Sequence, residues 1–217
     1  ESKYGAPIRA STRNNKYMRT KIISIDFQKE FTKEGGFCYR DRPSIVFMKE
    51  ILIPSVIERG VKMAEIISDY RQPRPSINKK DYCVPGTIGY ESEIPADAKK
   101  GEPWIKCANS PIWTRDNIGD GSKKPSYPYQ DPQKFNDWIA QEIGSPEETE
   151  ILLVGLTLDC CVLCSAQEFG ARGYKVKIIK EAVDTFSGDQ VEKELLYKTP
   201  LYNWAEVVSW EEVRDSI

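Results

Sequence analysis

The sequence of 217 residues contains no histidine. This absence excludes Ser-His-Asp and Cys-His catalytic arrangements, and every zinc or iron site that uses histidine ligands. If the protein is an enzyme, its proton transfers must therefore use Asp, Glu, Lys, Tyr or Cys side chains.

The sequence also lacks a charge excess and long apolar runs. Its 31 Lys and Arg residues are balanced by 33 Asp and Glu residues, so we expect no binding to nucleic acid and none to a membrane. Apolar stretches such as 151–156 are far too short to span a bilayer, and the first residues have no apolar segment of the signal-peptide type. A cytoplasmic location is the resulting expectation.

Disulfides and paired zinc-binding cysteines are not indicated either. The chain has six cysteines, and no Cys-x-x-Cys pair is matched by a second one. Three of them crowd into positions 160–164, while Cys38, Cys83 and Cys107 are scattered. Most of these thiols are expected to be small buried hydrophobic groups.

What is present is the alternating pattern of an α/β protein. Short apolar runs alternate with amphipathic segments, which predicts a single domain of three α/β/α layers with a central, mostly parallel sheet. The predicted strands are 21–27, 61–68, 104–107, 150–156, 175–179 and 206–208, and the predicted helices are 43–59, 132–143, 161–172 and 191–197. Residues 1–19 are predicted to form an N-terminal arm and residues 20–217 the domain. The loops 70–103 and 114–131 have the length typical of lids, binding loops or subunit contacts.

Three reactive side chains lie at the ends of predicted strands. Asp26 ends the first strand, Lys106 lies at the end of the third, and Cys161 follows strand 150–156 at a helix start. Ligands of open α/β sheets bind at the carboxyl ends of the strands, so we expect the three to meet. The helix N-terminus and Lys106 would lower the pKa of the thiol, and Asp26 would act as general base and then acid. Backbone N–H groups around Thr157 and Cys161 would form an oxyanion hole.

Each of these signals has a more ordinary explanation when it is taken alone. An acid at a strand end is more often a helix cap or a loop ligand, and a lone lysine is more often a solvated charge. A cysteine in the run CCVLC is more often a packing residue, and Cys160 or Cys164 would serve as nucleophile as well as Cys161. The prediction of an active site rests on the expectation that all three side chains meet at one edge of the sheet.

Four segments resemble the isochorismatase-like cysteine hydrolases, in the right order over about residues 20–210. IISIDFQKEF resembles the family's opening strand, which ends in Asp, and CVPGTIGYE is similar to its GTxGxE loop. IKCANSPIW resembles its Lys-x-x-x-Ser segment, and GLTLDCCVLCSAQEFGARGYKV resembles the block that carries the nucleophile. The resemblance implies a Rossmann-like topology, frequent homo-oligomers, and a triad of Asp26, Lys106 and Cys161 that needs no metal and no cofactor. It also implies a cis peptide bond before the nucleophile, at 156–157.

Two departures from the family bear on the substrate. Nicotinamidases of this family bind a metal through an Asp and two His, whereas here Asp69 is kept and Arg71 stands where a histidine is expected. The aromatic residue that usually follows the Lys-x-x-x-Ser segment is displaced to Trp113, and 114–131 looks like an insertion. The resemblance therefore implies a reshaped pocket and puts nicotinamide in doubt.

Together these observations predict a cysteine-dependent amidohydrolase that cleaves a C–N bond of a small amide or ureide through a thioester. The candidate substrate-binding residues are Phe31, Tyr70, Arg71, Tyr90 and Trp113, with Arg74 as a second candidate for a substrate carboxylate. The alternatives are a vinyl-ether hydrolase of the isochorismatase type, a nicotinamidase-like enzyme without the His metal site, and a non-catalytic binding protein. True isochorismatases do not carry Cys at the nucleophile position, so Cys161 favours an amide. Retention of the whole triad argues against a binding protein.

Overall fold

Residues 18–217 are described by a computed structural model, and six of their strands form one parallel sheet. The strands lie in the order β3-β2-β1-β6-β7-β8 across the sheet, with β1 (Arg19–Ile25), β2 (Ala64–Ser68), β3 (Trp104–Lys106), β6 (Thr149–Leu156), β7 (Lys175–Asp184) and β8 (Glu206–Val208). This sheet, surrounded by helices, confirms the predicted fold class. The predicted arm 1–19 lies outside the described residues except for its last two positions.

The composition of the central strands explains why the sheet is parallel. Every residue of β6 is buried, and so are the last four residues of β1. Strands with both faces buried are typical of parallel sheets that are covered by helices on both sides.

The connections reverse their direction between β1 and β6. The chain runs from β1 through β2 to β3 toward one edge of the sheet, and from β6 through β7 to β8 toward the other. The carboxyl ends of β1 and β6 therefore flank the topological switch point, where ligands of such sheets bind. Gly155 allows the two strands to approach there, since it pairs with Ile25 at a φ of 109° and an added Cβ would overlap the Ile25 backbone carbonyl.

The helices of the described chain are α1 (Lys29–Thr32), α2 (Pro43–Phe47), α3 (Ile53–Glu58), α4 (Pro132–Glu142), α5 (Leu163–Ala171), α6 (Gln190–Lys198) and α7 (Trp210–Val213). Two π-helical segments, Met48–Leu52 and Leu158–Val162, lead directly into α3 and α5. The first divides the predicted helix 43–59 just before Pro54, which has no N–H to continue the hydrogen-bond ladder. Within residues 18–217, no helix is both long and apolar enough to cross a bilayer.

The two long loops contain more regular structure than the sequence predicts. Strands β4 (Trp113–Thr114) and β5 (Tyr129–Gln130) pair in antiparallel fashion and close the base of the 114–131 loop. Loop 70–103 includes the 3-10 turns Ile88–Tyr90 and Ala96–Ala98. Such short pieces carry too few residues for a hydrophobic period to be visible in the sequence.

Candidate active site

Asp26, Lys106 and Cys161 lie together at the carboxyl end of the sheet. The Nζ of Lys106 is 2.8 Å from Oδ2 of Asp26 and 3.3 Å from Sγ of Cys161. Asp26 and Lys106 are fully buried, and Cys161 is 3% exposed. Asp26 follows β1, Lys106 ends β3 and Cys161 lies in the π-helical segment after β6, so the end of a strand positions each of them.

Ser68 and Tyr70 complete the surroundings of the Lys106 ammonium group. The Nζ of Lys106 lies 2.7 Å from Oγ of Ser68 and 2.7 Å from Oη of Tyr70. An ammonium group has three N–H groups, yet with Asp26 and Cys161 this one has four polar neighbours. The three shortest contacts go to oxygen atoms, so the sulfur is the most distant of the four. These five residues are called the thiol cluster below.

The backbone of Asp26 has a left-handed conformation, with a φ of 46°. This conformation is uncommon for residues other than glycine and persists where the surroundings fix it, often at functional sites. The N–H of Asp26 donates to the Ile66 carbonyl at 2.8 Å, and the Ser68 hydroxyl donates to Oδ1 at 2.8 Å. The carboxylate is therefore held through its backbone and through both of its oxygen atoms.

Cys161 lies in the first turn of the helical segment after β6, just beyond a cis peptide bond between Leu156 and Thr157. The N–H groups of its neighbours Cys160 and Val162 both donate to the Thr157 carbonyl at 3.1 Å. The first N–H groups of a helix have no intrahelical acceptor, and they carry its positive partial charge. An oxyanion hole at Thr157 and Cys161 stays a prediction that this arrangement allows.

The surroundings of Cys161 disfavour the thiolate form of its side chain. Burial and then the charge of Asp26 raise the pKa of Cys161 well above its usual range, and Lys106 offsets only part of this. Burial lowers the pKa of Lys106, but the charges of Asp26 and Cys161 outweigh it, so the pKa of Lys106 is raised. Lys106 lowers the pKa of the thiol as expected, but burial and Asp26 outweigh it, so the net pKa of Cys161 is raised rather than lowered.

The predicted pocket aromatics lie in different surroundings. Tyr70 belongs to the thiol cluster, whereas Phe31 is buried in the core with its ring edge-on to Tyr82 at a centroid distance of 6.4 Å. Tyr90 is half-buried, and burial raises the pKa of Tyr90 to about 12. Trp113 is half-buried in β4. Of the four, it is Tyr70 that shares hydrogen bonds with the triad.

Gln28 ties the GTIGYE loop to the sheet beside the cluster. Its buried Nε2 donates to the carbonyls of Tyr90 at 2.8 Å and Ser68 at 3.1 Å, and its Oε1 accepts the Ser68 N–H at 2.8 Å. Gln28 thus fixes the residue whose hydroxyl holds Asp26. Sequence reasoning missed both residues. Ser68 could have been found, since it ends predicted strand 61–68 at the same edge of the sheet, whereas nothing distinguishes Gln28 from a surface glutamine.

Asn109 connects the thiol cluster to the surface. Its Oδ1 lies 3.4 Å from Oη of Tyr70 and 3.8 Å from Sγ of Cys161, and the residue itself is exposed. Sequence reasoning missed it, although it lies within the Lys-x-x-x-Ser segment that places Lys106. Asn109 therefore gives the thiol cluster a neighbour that is exposed to solvent.

Asp69 and Arg71 form a second buried ion pair next to the thiol cluster. The guanidinium binds both carboxylate oxygens, with Nε 2.8 Å from Oδ1 and Nη2 2.6 Å from Oδ2. Its Nη1 donates to the carbonyls of Asp120 at 3.1 Å and Lys123 at 3.0 Å, and the Gly119 N–H donates to Asp69 at 3.0 Å. These contacts, called the loop clamp below, engage four of the five N–H groups of Arg71. They direct the guanidinium to the 114–131 loop.

The loop clamp also decides whether a metal fits beside Asp69. Both oxygens of Asp69 are already bonded to Arg71, and the hydrogen bond to Asp69 raises the pKa of Arg71. Within residues 18–217, no three or more Cys, Asp or Glu side chains are grouped so that they could hold a metal ion. The residues at this position do not fit a metal, and a guanidinium supplies the positive charge beside the carboxylate.

Arg74, the second candidate for a substrate carboxylate, is also engaged. It is buried, and its Nη2 donates to the carbonyls of Asn78 at 3.2 Å and Lys80 at 3.4 Å. Its guanidinium carbon lies 4.8 Å from the ring centroid of Tyr70 and 4.9 Å from that of Tyr82. Arg74 therefore fixes the start of the 70–103 loop and covers the ring of Tyr70.

Comparison with known proteins gives a fold but no sequence relative. No family model matches the sequence, and no curated protein matches it. Solved structures are similar: an isochorismatase family protein from Desulfovibrio vulgaris has 13% identity and a TM-score of 0.62, covering 91% of this chain and 97% of that chain. N-carbamoylsarcosine amidase from Thermoplasma acidophilum has 17% identity and a TM-score of 0.55, covering 88% and 96%. Pyrazinamidase of Pyrococcus horikoshii in complex with zinc has 16% identity and a TM-score of 0.58, covering 88% and 99%. The chain therefore has the fold of the isochorismatase-like hydrolases.

Proposed function

We propose that this chain, with its isochorismatase-like fold, is a cysteine hydrolase that cleaves the C–N bond of a small amide or ureide. The observation that carries this proposal is the buried Lys106 ammonium, which contacts both the Asp26 carboxylate and the Cys161 sulfur at the switch point of the sheet. A nucleophile, a proton acceptor and a fixed positive charge are the groups that acyl transfer needs when no histidine is available. Two of the similar structures are named as amidases, which supports the substrate class.

In the first half-reaction, Cys161 gives its proton to Asp26 as the sulfur attacks the carbonyl carbon of the substrate. Lys106 stabilises the negative charge that develops on the sulfur, and the backbone N–H groups at the helix start receive the oxyanion. The protonated Asp26 then gives its proton to the leaving nitrogen. The C–N bond breaks, ammonia or an amine departs, and a thioester remains on Cys161.

In the second half-reaction, Asp26 accepts a proton from a water molecule whose oxygen attacks the thioester carbon. The C–S bond breaks, the proton returns to the sulfur, and the acid is released. Lys106 keeps its proton throughout, because a negative charge stays beside it, on Asp26 or on the sulfur of Cys161, and raises its pKa. Its role is therefore electrostatic, and Asp26 carries the proton in both steps.

The burial of the cluster limits the size of the substrate. Asp26, Lys106 and Tyr70 are at most 1% exposed, and the exposed neighbour is Asn109. We propose that the substrate reaches the sulfur past Asn109 and that the reacting group is a compact terminal amide or ureide.

The test is a screen of small amides, ureides and carbamoyl compounds for ammonia release, with the Cys161→Ala variant as the blank. We expect release from at least one compound and none above background from the variant. Acid quenching during turnover should trap an acyl group on the peptide that contains Cys161, which mass spectrometry detects.

The matched control is Cys164→Ala, which removes a half-buried thiol one turn further along the same helix. This variant should keep its turnover. Ammonia release that survives in Cys161→Ala would contradict the proposal. Turnover of a vinyl ether by both the unaltered protein and Cys161→Ala would instead identify the vinyl-ether hydrolase.

A further inference from the structure

The hydroxyl of Tyr70 lies among the reacting groups of the thiol cluster. Its Oη is 2.7 Å from Nζ of Lys106, 3.0 Å from Sγ of Cys161 and 3.4 Å from Oδ1 of Asn109. The side chain is 1% exposed. The mechanism above leaves this buried hydroxyl without a role.

The direction of these hydrogen bonds follows from the number of hydrogens. Lys106 can only donate, so the Tyr70 oxygen accepts its N–H. The single hydrogen of the Tyr70 hydroxyl must then go to the Cys161 sulfur or to the Asn109 carbonyl oxygen. The sulfur is the closer acceptor, and it accepts a hydrogen bond more strongly once it is a thiolate.

We infer that Tyr70 is a further catalytic residue, whose hydroxyl donates to the Cys161 sulfur and stabilises the thiolate that forms when Asp26 takes the proton. The inference rests on the proposed role of Cys161 as nucleophile. In this arrangement Lys106 donates to the Tyr70 hydroxyl, and the hydroxyl donates to the sulfur, so the positive charge acts on the sulfur through Tyr70. The direct contact between Lys106 and the sulfur is longer than either of these, at 3.3 Å.

The charges around the thiol explain why a second donor is needed. The ionisable groups that interact with Cys161 include Asp26, Lys106, Cys160, Tyr70 and Tyr82. Burial, Asp26 and Cys160 raise the pKa of Cys161, and Lys106 lowers it. A neutral hydroxyl that donates to the sulfur favours the thiolate without adding a charge to the buried cluster.

The ring of Tyr70 is held so that the hydroxyl keeps its direction. The guanidinium of Arg74 lies 4.8 Å from the ring centroid, and the ring of Tyr82 meets it edge-on at 4.9 Å. Burial raises the pKa of Tyr70 well above its usual range, so the hydroxyl keeps its hydrogen at every pH at which the enzyme would work. Because these ring contacts do not involve the hydroxyl, a Phe at this position should fold.

The experiment is to measure the rate at which iodoacetamide alkylates Cys161 between pH 6 and pH 9 in the unaltered protein and in Tyr70→Phe, by mass mapping of the Cys161 peptide. A hydrogen bond to a charged group typically changes an equilibrium by about 10- to 100-fold. The thiolate population should fall by that factor, but a more basic thiolate is also more nucleophilic. We therefore expect alkylation at pH 8 to slow by about 3- to 10-fold in Tyr70→Phe, with the whole profile displaced to higher pH.

The matched control is Tyr82→Phe, the same chemical change on the ring that packs against Tyr70, and its alkylation profile should not move. An unchanged or faster alkylation of Cys161 in Tyr70→Phe would overturn the inference, because it would show that Lys106 alone stabilises the thiolate. Alkylation needs no turnover, so the result is independent of whether any amide is hydrolysed. If an amide substrate is found, kcat should fall in Tyr70→Phe with little change in KM.

Discussion

Two buried acid–cation pairs lie side by side in this protein, and they use the hydrogens of their cations differently. In the thiol cluster, the Lys106 ammonium shares three N–H groups among four neighbours. In the loop clamp, the Arg71 guanidinium binds both oxygens of Asp69 and two loop carbonyls. An ammonium is a compact charge with rotatable donors, whereas a guanidinium is a rigid fork. The ammonium of the first pair can redirect its N–H groups when a proton moves between its neighbours, whereas the guanidinium of the second pair holds one arrangement.

The difference begins in four consecutive residues, 68–71. Side chains of an extended segment point alternately to opposite sides. Ser68 and Tyr70 accordingly join the thiol cluster, while Asp69 and Arg71 form the loop clamp. One side of the segment thus serves the proposed chemistry, and the other anchors the 114–131 loop beside it. Substitutions in the thiol cluster should therefore reduce turnover, whereas substitutions in the loop clamp should reduce stability with little effect on turnover.

The largest expected effect is that of Asp26→Asn. The amide cannot accept the thiol proton, so turnover should fall by about 100- to 10,000-fold, the usual cost of losing a general acid/base. The variant also leaves the buried Lys106 ammonium without its counter-ion, so we expect unfolding to become easier by about 3–5 kcal/mol. Asn tolerates the left-handed backbone, so the φ of this residue adds little. Turnover should be measured below the melting temperature of the variant, beside a urea unfolding curve.

The proposed difference between the two clusters would be contradicted by a folded Asp26→Asn protein that keeps more than roughly a tenth of the original turnover. That is far more turnover than remains after the loss of a general acid/base. Asp26 would then be a structural counter-ion like Asp69. The thiol cluster would be a second clamp.

The comparison also shows which parts of the site the sequence could predict. The positions of Asp26, Lys106 and Cys161 follow from one rule, that reactive residues at the carboxyl ends of parallel strands meet at one edge of the sheet. The same rule would have found Ser68. The direction in which Arg71 points depends on where the inserted loop lies, which no local pattern encodes. The net direction of the pKa shift of the Cys161 thiol depends on burial summed over the whole cluster, so the charge of Lys106 alone does not predict it.

A smaller effect on turnover is expected for Arg71→Met. This change leaves the fully buried Asp69 carboxylate with two backbone donors, the N–H groups of Gly119 and of residue 71, but without a counter-ion, which should destabilise the protein by about 3–5 kcal/mol. The thiol cluster is untouched, so kcat of the folded protein should stay within about tenfold, less than the loss of a general acid/base. Chemical unfolding and steady-state kinetics on the same preparation measure the two effects.

The control for this change is the double variant Asp69→Asn, Arg71→Met, in which no buried charge is left unpaired. Replacement of both partners of a buried ion pair typically costs far less than removal of one, so the double variant should regain most of the stability. If Arg71 instead binds the substrate, the single variant Arg71→Met should melt normally while its KM for a carboxylate-bearing substrate rises sharply. That result would contradict the structural role of the loop clamp.

The smallest expected effect is that of metal removal, which should leave turnover unchanged. A bound metal would need the oxygens of Asp69, but the Arg71 guanidinium already holds both of them, at 2.8 Å and 2.6 Å. Hard cations need several oxygen ligands and zinc needs about four nitrogen, sulfur or oxygen ligands, and residues 18–217 offer no group of three such side chains. Exhaustive dialysis against EDTA, followed by metal analysis and kinetics, provides the measurement. Loss of one equivalent of zinc in parallel with turnover would place a metal where the loop clamp lies, and the proposed difference between the thiol cluster and the loop clamp would be wrong.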